Sequence, residues 1–493
     1  MSTVTRRDFL QGMASLAALA GAGAITPGGE AGQAQATPAG GNNGPRGANE
    51  RINVACIGVR GQGMGHVRGY AGRHNCIVTH ICDVDLAPSI VGRAVEAAQK
   101  AQGVEPRVVQ DLRRIMDDQT IHAVSIATPN HWHALAAIWA LQAGKDVYVE
   151  KPVSHNVSEG RRMVEFARHH NRICQTGTQI RSSPGIRQAM EFVSSGQIGR
   201  VQVARGLCYK RRDSIGRAGP GGGVIPKSID YNLWCGPAPR RDPLPRERLH
   251  YDWHWFWDYG NGDLGNQGIH QMDVARWGMG KNQLARSVIS VGGRFGYVDD
   301  GQTANTQVSV FDYGDSELIF EVRGLPTPDY RGATVGNVFH CTEGYLVCTT
   351  YQRAAAYRPT GELIRSFDGG ADHFGNFIAA VRSRRREDLH ADIQEGHLSS
   401  ALCHLANISF RLGTVMPCDR RGTIFGNDAA GAETLNRTME HLANNTVPLD
   451  DTNLQVGRRL TLNPQSETFV NDRQADAYLT REYRQGFVVP ARV

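Results

Sequence analysis

The residues with the clearest chemical potential lie in a glycine-rich turn. The stretch ACIGVRGQGMGH (55–66) begins within the apolar run INVACIGV (52–59) and leads into a helical pattern. Gly58 would allow the tight turn, and Gly63 would let the helix pack closely against the strand. The free N–H groups at the start of that helix would then face a pyrophosphate. A strand, a glycine-rich turn and a helix in this order predict a dinucleotide-binding site.

One position of the turn departs from the usual spacing. Counting from Gly58 places Arg60 where a second glycine is usual, with Gly61 beside it. Either Gly61 allows the close approach of the phosphates, or Arg60 lies along them as a cation. Both readings keep this turn as the phosphate end of the predicted site.

An acid downstream fits the same site. Asp83 ends the second strand pattern, about 20 residues after Gly63, where a carboxylate receives the adenosine ribose hydroxyls. Val84 follows, so no adjacent cation would attract a 2′-phosphate, and the sequence favours NAD over NADP. The alternative is that Asp83 only caps the end of its strand.

Strand and helix patterns alternate up to about residue 180. Apolar strand patterns cover 52–59, 76–85, 122–129, 146–152 and 172–179. Helical patterns lie between the third and fourth of these strands and between the fourth and fifth. Such alternation is typical of a parallel, doubly wound sheet. We therefore expect a Rossmann domain over residues 51–180.

The pattern changes after residue 180. Strand-like runs such as RVQVARGLCYK, SVISVGGRFGYV, TQVSVFDYG and ELIFEVRG follow one another with few helices between them. This order predicts an α+β domain with a mostly antiparallel, open sheet over residues 181–440. The polar residues 441–493 are expected to form an irregular tail.

The first residues resemble an export address. Thr5-Arg6-Arg7-Asp8-Phe9-Leu10 precede an apolar run that is too short to span a bilayer. We interpret residues 1–36 as a twin-arginine signal peptide, with an A-x-A cleavage site at Ala34–Ala36, and residues 37–50 as a flexible linker. The protein would then fold before it meets the twin-arginine export machinery, and it would work in the periplasm or otherwise outside the cytoplasm.

Composition excludes several classes of protein. The chain has 493 residues, 40% of them hydrophobic, and a net charge of only +6, so neither a nucleic-acid partner nor a membrane span is expected. The ten cysteines include no CxxC pair and lie mostly in apolar runs, which predicts mostly free, buried thiols. No metal site is expected, since the two candidate histidine pairs, His131 with His133 and His397 with His404, lack a convergent third ligand.

Several motifs resemble those of a known family. The segments TPNHWHALAAIWALQAGKDVYVEKP, GQIGRV and GNQGIHQMDVARWGMG are similar to the Gfo/Idh/MocA oxidoreductases, and VEKPVS (149–154) contains the family's Glu-Lys-Pro motif. The resemblance covers roughly residues 51 to 440. It implies a nicotinamide cofactor bound between two domains, a sugar or polyol above it, and an open sheet that serves as a dimer face, hence a homo-oligomer.

The resemblance also implies roles for particular residues. Lys151 matches the family's lysine, which contacts the reacting hydroxyl or the nicotinamide ribose, and His270 matches the base of a second motif, Asp-x-x-x-His. The acid of that motif is replaced by Asn266. A histidine can take the hydroxyl proton and an ammonium can stabilise the alkoxide that develops. Asn266 would share a helical face with His270 and orient its ring, without neutralising an imidazolium.

The other candidates surround this pair. The cofactor side is expected to be lined by Thr128, Pro129, Asn130, His133 and Glu150. The substrate side is expected to include Gln179, Arg181, Tyr209 and Lys210.

Export constrains the reaction, because no supply of free NAD is expected outside the cytoplasm. A cofactor carried out with the folded protein must be recycled in place. The first hypothesis is therefore a carbohydrate oxidoreductase whose cofactor is reduced by one substrate and reoxidised by another. The alternatives are an NAD-dependent glycosidase, which oxidises transiently and then eliminates, and a non-catalytic carbohydrate binder.

Overall fold

A computed structural model describes residues 47, 49–219, 223–241, 246, 248–418, 422 and 424–493. The predicted signal peptide, its cleavage site and most of the linker lie outside these residues. No helix among the described residues has the length and apolar character needed to cross a membrane.

The first sheet is parallel and has the strand order β3-β2-β1-β4-β5-β6. Its strands are β1 (Ile52–Ile57), β2 (Cys76–Cys82), β3 (Arg107–Val109), β4 (Ala123–Ile126), β5 (Asp146–Val149) and β6 (Cys174–Thr176). The connection changes direction between β1 and β4, and ligands of such sheets bind at that point, beyond the carboxyl ends of the strands. The predicted Rossmann fold is confirmed.

Helices cover both faces of this sheet. They are α1 (Gly63–Tyr70), α2 (Arg93–Gln102), α3 (Arg113–Asp117), α4 (Asn130–Gln142) and α5 (Val157–His169). Two separate apolar cores result, one on each face, because the strands are hydrophobic on both sides.

The second sheet has twelve strands and is antiparallel except for one parallel pair, β7 with β10. Its main path is β14-β13-β12-β11-β7-β10-β9-β8-β16-β15. The strands are β7 (Val201–Tyr209), β8 (Ser287–Gly293), β9 (Thr306–Asp312), β10 (Glu317–Arg323), β11 (Val335–Cys341), β12 (Tyr345–Cys348), β13 (Ala354–Tyr357), β14 (Leu363–Phe367), β15 (Thr414–Pro417), β16 (Asn453–Val456), β17 (Leu460–Asn463) and β18 (Thr468–Phe469). The predicted α+β domain with a mostly antiparallel sheet is confirmed.

Helices α6 (Pro184–Ser194), α9 (Ile269–Gly278) and α11 (Ile393–Arg411) pack on one face of the large sheet. Helix α12 (Ala429–Asn444) packs on part of the other face, over β8, β9 and β10. The short helices α7 (Tyr231–Cys235) and α8 (Leu249–Asp252) lie in the long connection between β7 and α9. Use of an open sheet face for oligomerisation stays a prediction.

Two segments cross between the sheets. Helix α10 (His373–Ser383) follows β14 but packs against the nucleotide sheet, where Phe377 lies in its core. The C-terminal segment contributes β16, β17 and β18 and the short helix α13 (Arg473–Asp476), so it is more regular than the sequence suggests. Strands of two to four residues are too short for their alternation to be recognised in a sequence.

Candidate functional site

The glycine-rich turn has the backbone geometry that a dinucleotide site needs. Gly58 has a φ of +79°, and a Cβ there would lie 2.8 Å from the backbone of Ala127. A Cβ on Gly63 would lie 1.7 Å from the carbonyl oxygen of Gly58. A Cβ on Gly61, in contrast, would meet nothing within 4 Å. Gly58 and Gly63 thus shape the turn, and Gly61 leaves the space above it open for phosphates.

Arg60 lies at the open side of this turn. Its side chain is exposed, and it forms no ion pair with any carboxylate in the described part of the chain. Its guanidinium is therefore available to a phosphate, in keeping with the second interpretation of the turn.

Asp83 links the end of β2 to the turn. Its Oδ2 accepts a 2.8 Å hydrogen bond from the N–H of Val59, and its Oδ1 accepts a 3.0 Å bond from the N–H of Asp85. Burial raises the pKa of Asp83 above its ordinary value. Each oxygen can still accept another hydrogen bond, so contact with a ribose hydroxyl stays a prediction beside this strand-capping role.

The loop after β4 presents polar atoms that lack partners. The Oγ1 of Thr128 and the Nδ2 of Asn130 are buried and form no hydrogen bond among the described residues. A buried polar atom left in this state costs about 1–3 kcal/mol. These atoms, at the carboxyl edge beside β1, fit the polar groups of a bound dinucleotide, and Pro129 places both at the start of α4.

Both ring nitrogens of His133 contact backbone carbonyl oxygens. Its Nδ1 and Nε2 lie 2.6 Å and 2.8 Å from the carbonyl oxygens of Pro152 and Thr128. It therefore ties the loop after β4 to the loop after β5. We retain it as a positioning residue for the cofactor side.

Glu150 is the centre of a buried hydrogen-bond network. Its Oε1 accepts bonds from the side chains of Gln62, His66 and Gln179, at 3.4, 3.2 and 3.0 Å. Its Oε2 accepts the backbone N–H of Lys151 at 3.3 Å. Glu150 therefore joins the nucleotide helix α1 to the loop that carries the lysine.

The electrostatics of Glu150 follow from these contacts. Burial alone would raise its pKa, but the hydrogen bond from His66 and the positive charge of Lys151 help lower it to about 2. A buried carboxylate at this position is thus ionised and balances part of the positive charge around it.

Lys151 reaches across to the second domain. Its Nζ donates a 2.8 Å hydrogen bond to the backbone carbonyl of Asn266. Burial is the largest influence on the Lys151 ammonium and lowers its pKa below the ordinary value, although the charge of Glu150 opposes this.

His270 follows the turn that Lys151 contacts. We call the space between the loop that carries Lys151 and this turn the crevice. The side chain of His270 is buried, and its ring centroid lies 5.0 Å from that of Tyr351. Burial, followed by the positive charge of Lys151, lowers its pKa well below 6.5, so the imidazole is neutral at pH 7. A neutral imidazole beside an ammonium can accept a proton from a hydroxyl group.

The expected contact between Asn266 and His270 is not formed. The Nδ1 of His270 has no hydrogen-bond partner among the described residues, so the expectation that Asn266 orients the ring is wrong. Asn266 lies in a π-helical turn, Leu264–Gly268, that runs into α9. A π turn is wider than an α turn, so residues four apart no longer share one face. Asn266 contributes its backbone carbonyl to Lys151 instead.

Cationic and aromatic side chains from the second domain complete the crevice. Arg212 forms a two-pronged ion pair with Asp263 and lies 5.2 Å from the ring of Trp255. Burial and the charges of Arg212 and Lys151 lower the pKa of Lys210. Contact of Lys210 with a substrate stays a prediction.

Two expected substrate residues are bound to carboxylates of the protein. Arg181 pairs with Asp273 at 2.7 Å and with Glu395 at 2.9 Å, so its guanidinium is held by carboxylates in the protein interior. Tyr209 donates a 2.6 Å hydrogen bond to Glu321. Contact of Arg181 with a substrate stays a prediction. Tyr209 does not face the substrate side, because strand alternation turns its side chain to the opposite face from Cys208.

Sequence reasoning missed three residues of the site. His66 connects Ser125 to Glu150 through its two ring nitrogens, at 2.7 and 3.2 Å. Asp263 forms the ion pair with Arg212. Tyr351 packs against His270. The position of His66 one turn into the nucleotide helix was a usable signal, whereas Tyr351 comes from a distant loop and left none.

No group of three or more His, Cys, Asp or Glu side chains able to hold a metal ion occurs in the described part of the chain. Nine of the ten cysteines are buried, and no disulfide joins any of them across the described ranges. This agrees with the expectation of buried thiols.

Comparison with known proteins identifies both domains. Residues 52–178 match the model of the Gfo/Idh/MocA oxidoreductase family, NAD-binding Rossmann fold, and residues 200–444 match its C-terminal alpha/beta domain. Together the two matches cover most of the chain.

Curated relatives match over shorter stretches. The chain is 30% identical over 247 residues to levoglucosan dehydrogenase of Pseudarthrobacter phenanthrenivorans, covering 49% of this chain and 54% of the relative. It is 28% identical over 160 residues to inositol 2-dehydrogenase of Salmonella typhimurium, covering 32% and 46%. It is 29% identical over 156 residues to alpha-N-acetylgalactosaminidase of Shewanella oneidensis, covering 31% and 34%. The chain thus spans about half or less of the length of these relatives.

Solved structures share the fold. Levoglucosan dehydrogenase in complex with NADH and levoglucosan superposes with a TM-score of 0.54 at 19% identity, over 73% of this chain and 98% of that one. The WlbA dehydrogenase of Bordetella pertussis, in complex with NADH and UDP-GlcNAcA, gives 0.53 at 17% identity, over 73% and 97%. With both domain models matched and the fold shared, the chain belongs to the Gfo/Idh/MocA oxidoreductase family and carries its NAD-binding Rossmann domain.

Proposed function

We propose that this protein is an NAD-dependent oxidoreductase that acts on a CH–OH group of a sugar, polyol or sugar derivative, with a tightly held cofactor that is recycled in place. The observation that carries the proposal is the meeting of Lys151, from the loop after β5, with the π turn that leads into His270. The dehydrogenase relatives support the carbohydrate class of the substrate.

The residues of the crevice would have different roles in removing the hydroxyl proton. The neutral imidazole of His270 would take the hydroxyl proton, and general bases of this kind contribute roughly 10²–10⁴ in rate. The ammonium of Lys151, fixed by the carbonyl of Asn266, would stabilise the negative charge on the substrate oxygen. Glu150 would hold the loop that carries Lys151 against α1. Bound NAD would supply the hydride acceptor.

Retention of the cofactor follows from the proposed route of the protein. The twin-arginine pattern at Arg6-Arg7 supports export as a folded, loaded protein to the periplasm or beyond. A cofactor that cannot be exchanged there must be reoxidised by a second substrate in the same crevice. The pairing of a substrate donor and a substrate acceptor would make the overall reaction redox-neutral.

A second candidate is an NAD-dependent glycosidase. Asn266 stands where the family has an acid, and the Nδ1 of His270 has no hydrogen-bond partner among the described residues. A glycosidase also occurs among the matched relatives. In this reaction a C–OH group of the sugar would pass its hydride to bound NAD and become a ketone, which acidifies the neighbouring C–H bond. Loss of that proton would break the glycosidic bond by elimination and release the aglycone. Water would then add to the unsaturated ketone, returning a proton to the carbon, and the hydride would return to the ketone carbon.

One experiment separates these functions. Purified protein is incubated, without added NAD, with pairs of sugars and with glycosides in deuterated water, and the products are analysed by mass spectrometry. Paired oxidation and reduction of two sugars supports the oxidoreductase. Release of a sugar carrying carbon-bound deuterium supports the glycosidase, and absence of any turnover across the panel contradicts both.

A further inference from the structure

A segment of the β7–α9 connection returns to the nucleotide sheet. Ile229 forms an antiparallel bridge with Asp85, just beyond β2. Leu86 donates its N–H to the carbonyl of Ser228 at 3.0 Å, and Asp230 donates its N–H to the carbonyl of Val84 at 3.0 Å. We refer to residues 226–236 as the clasp.

A contact between a histidine and a carboxylate fixes a second part of the same connection at this point. The Nε2 of His250 lies 2.8 Å from the Oδ2 of Asp85, and the Asp85 carboxyl is almost fully buried. Burial would raise the pKa of Asp85, but hydrogen bonds from the Ala87 N–H, the Ser228 hydroxyl and His250 together lower it. Asp85 is therefore an ionised anchor for the connection.

The other end of the clasp is fastened to α4, which follows β4. The indole Nε1 of Trp132 donates to the carbonyl of Leu233 at 2.8 Å, and the Nε2 of His131 lies 2.9 Å from the carbonyl of Trp234. A Cβ on Gly236 would lie 2.2 Å from the ring of Trp132. The clasp thus runs along the carboxyl edge of the sheet from β2 to the helix after β4.

The C-terminal segment holds the clasp from outside. Arg484 donates to the carbonyl oxygens of Asn232 and Gly236 at 3.1 and 3.2 Å. Opening of the clasp would therefore break contacts on three sides: with the loop after β2, with α4 and with the C-terminal segment.

In a doubly wound sheet the adenosine half of a dinucleotide lies beyond the ends of these strands, with its ribose at the acid that ends β2. We propose that the clasp forms the outer wall of the adenosine half of the NAD site, and that the His250–Asp85 pair keeps it closed so that NAD does not dissociate. This inference deepens the proposed function, since it rests on the cofactor being retained, and it assigns that retention to residues outside the glycine-rich turn.

The test measures NAD release from the holoprotein without any carbohydrate. Wild type, His250→Ala and Arg484→Ala are compared with His169→Ala, an exposed histidine on α5. Each protein is dialysed against a scavenging dehydrogenase, and the nicotinamide left on it is measured after acid quench. Release is expected to be roughly tenfold faster in His250→Ala, equivalent to about 1.4 kcal/mol, with a smaller increase in Arg484→Ala and none in the control.

Hydrogen exchange gives an independent readout. Adding NAD to apoprotein should slow amide exchange in residues 226–236. Unchanged release in both variants, or unchanged exchange in the clasp, would overturn the inference. Because neither readout depends on turnover, a failed sugar panel with slow NAD release would reject the proposed reaction and leave the clasp standing.

Discussion

The Nζ of Lys151 and the backbone carbonyl of Asn266 are joined by a 2.8 Å hydrogen bond that crosses from the nucleotide domain to the second domain. It places the ammonium beside the turn that leads into His270. The asparagine that replaces the family's acid thus serves through its main chain, and His270 is left to the charges of Lys151 and Glu150.

Replacing His270 tests the proposed base. His270→Ala should lower turnover by roughly 10²–10⁴, because it removes the proposed acceptor of the hydroxyl proton, while bound NAD should remain. Turnover and nicotinamide content are measured on the same preparation. His340→Ala, which alters a histidine packed near Tyr330 on the other face of the large sheet, serves as the control. Full activity in His270→Ala would remove it from the mechanism.

Restoring the family's acid should change the pH profile. Asn266→Asp adds a negative charge near Lys151 and His270, which raises the pKa of the imidazole. Because the base must be neutral, the acid limb of kcat/KM should move to higher pH. Asn266→Ser, which adds no charge, should leave the limb where it is. An unmoved limb in Asn266→Asp would show that His270 does not control it.

Asp83 should be needed for cofactor binding. Asp83→Ala removes the carboxylate that is expected to receive the ribose hydroxyls, so NAD occupancy should fall sharply. Asp111→Ala, which removes an acid that follows β3 and pairs with Arg113, is the matched control. Occupancy is measured by mass spectrometry of quenched protein. Equal occupancy in the two variants would leave Asp83 only its hydrogen bonds to Val59 and Asp85.

Acid should destabilise the protein through its buried histidines. Burial lowers the pKa values of His131 and His404 to about 3. In the unfolded chain the pKa of a histidine is about 6.5. The contribution of these two histidines to the free energy of unfolding is therefore complete above that pH, and it is lost as the pH falls toward 3. Each histidine contributes about 1.4 kcal/mol per pH unit in this window. Urea unfolding at several pH values should show a shallower slope for His404→Gln than for wild type, and an unchanged slope for His169→Ala.

Export should depend on the arginine pair. Changing Arg6 and Arg7 to lysine should leave the precursor in the cytoplasm, because the receptor for this kind of signal reads the arginines themselves. Cell fractionation with an antibody to the protein measures this. Changing Arg51, beyond the linker, provides the control, and normal export of the double variant would indicate another route.

The sequence predicted most of what depends on local pattern. The parallel sheet follows from strands alternating with helices, and the glycine-rich turn from the spacing of Gly58, Gly61 and Gly63. Lys151 was found through its motif.

What escaped prediction depends on long-range packing. The π turn at Leu264–Gly268 breaks the four-residue spacing on which the Asn266–His270 contact was based. The carboxylates of Asp273 and Glu395, which pair with Arg181, lie far along the chain and left no local signal. The clasp joins residues more than a hundred positions apart, and no local pattern marks such a contact.

Hydride transfer itself gives the most direct test of the central claim. The sugars of the panel carry deuterium on carbon and are mixed with holoprotein in a single turnover. The cofactor is then released by a neutral organic-solvent quench, which preserves reduced nicotinamide, and its mass is measured by mass spectrometry. The account predicts that at least one sugar transfers deuterium to the nicotinamide in wild type, and that transfer in His270→Ala is slower by roughly 10²–10⁴. NAD that remains unlabelled with every sugar, on protein shown to be fully loaded, would contradict it.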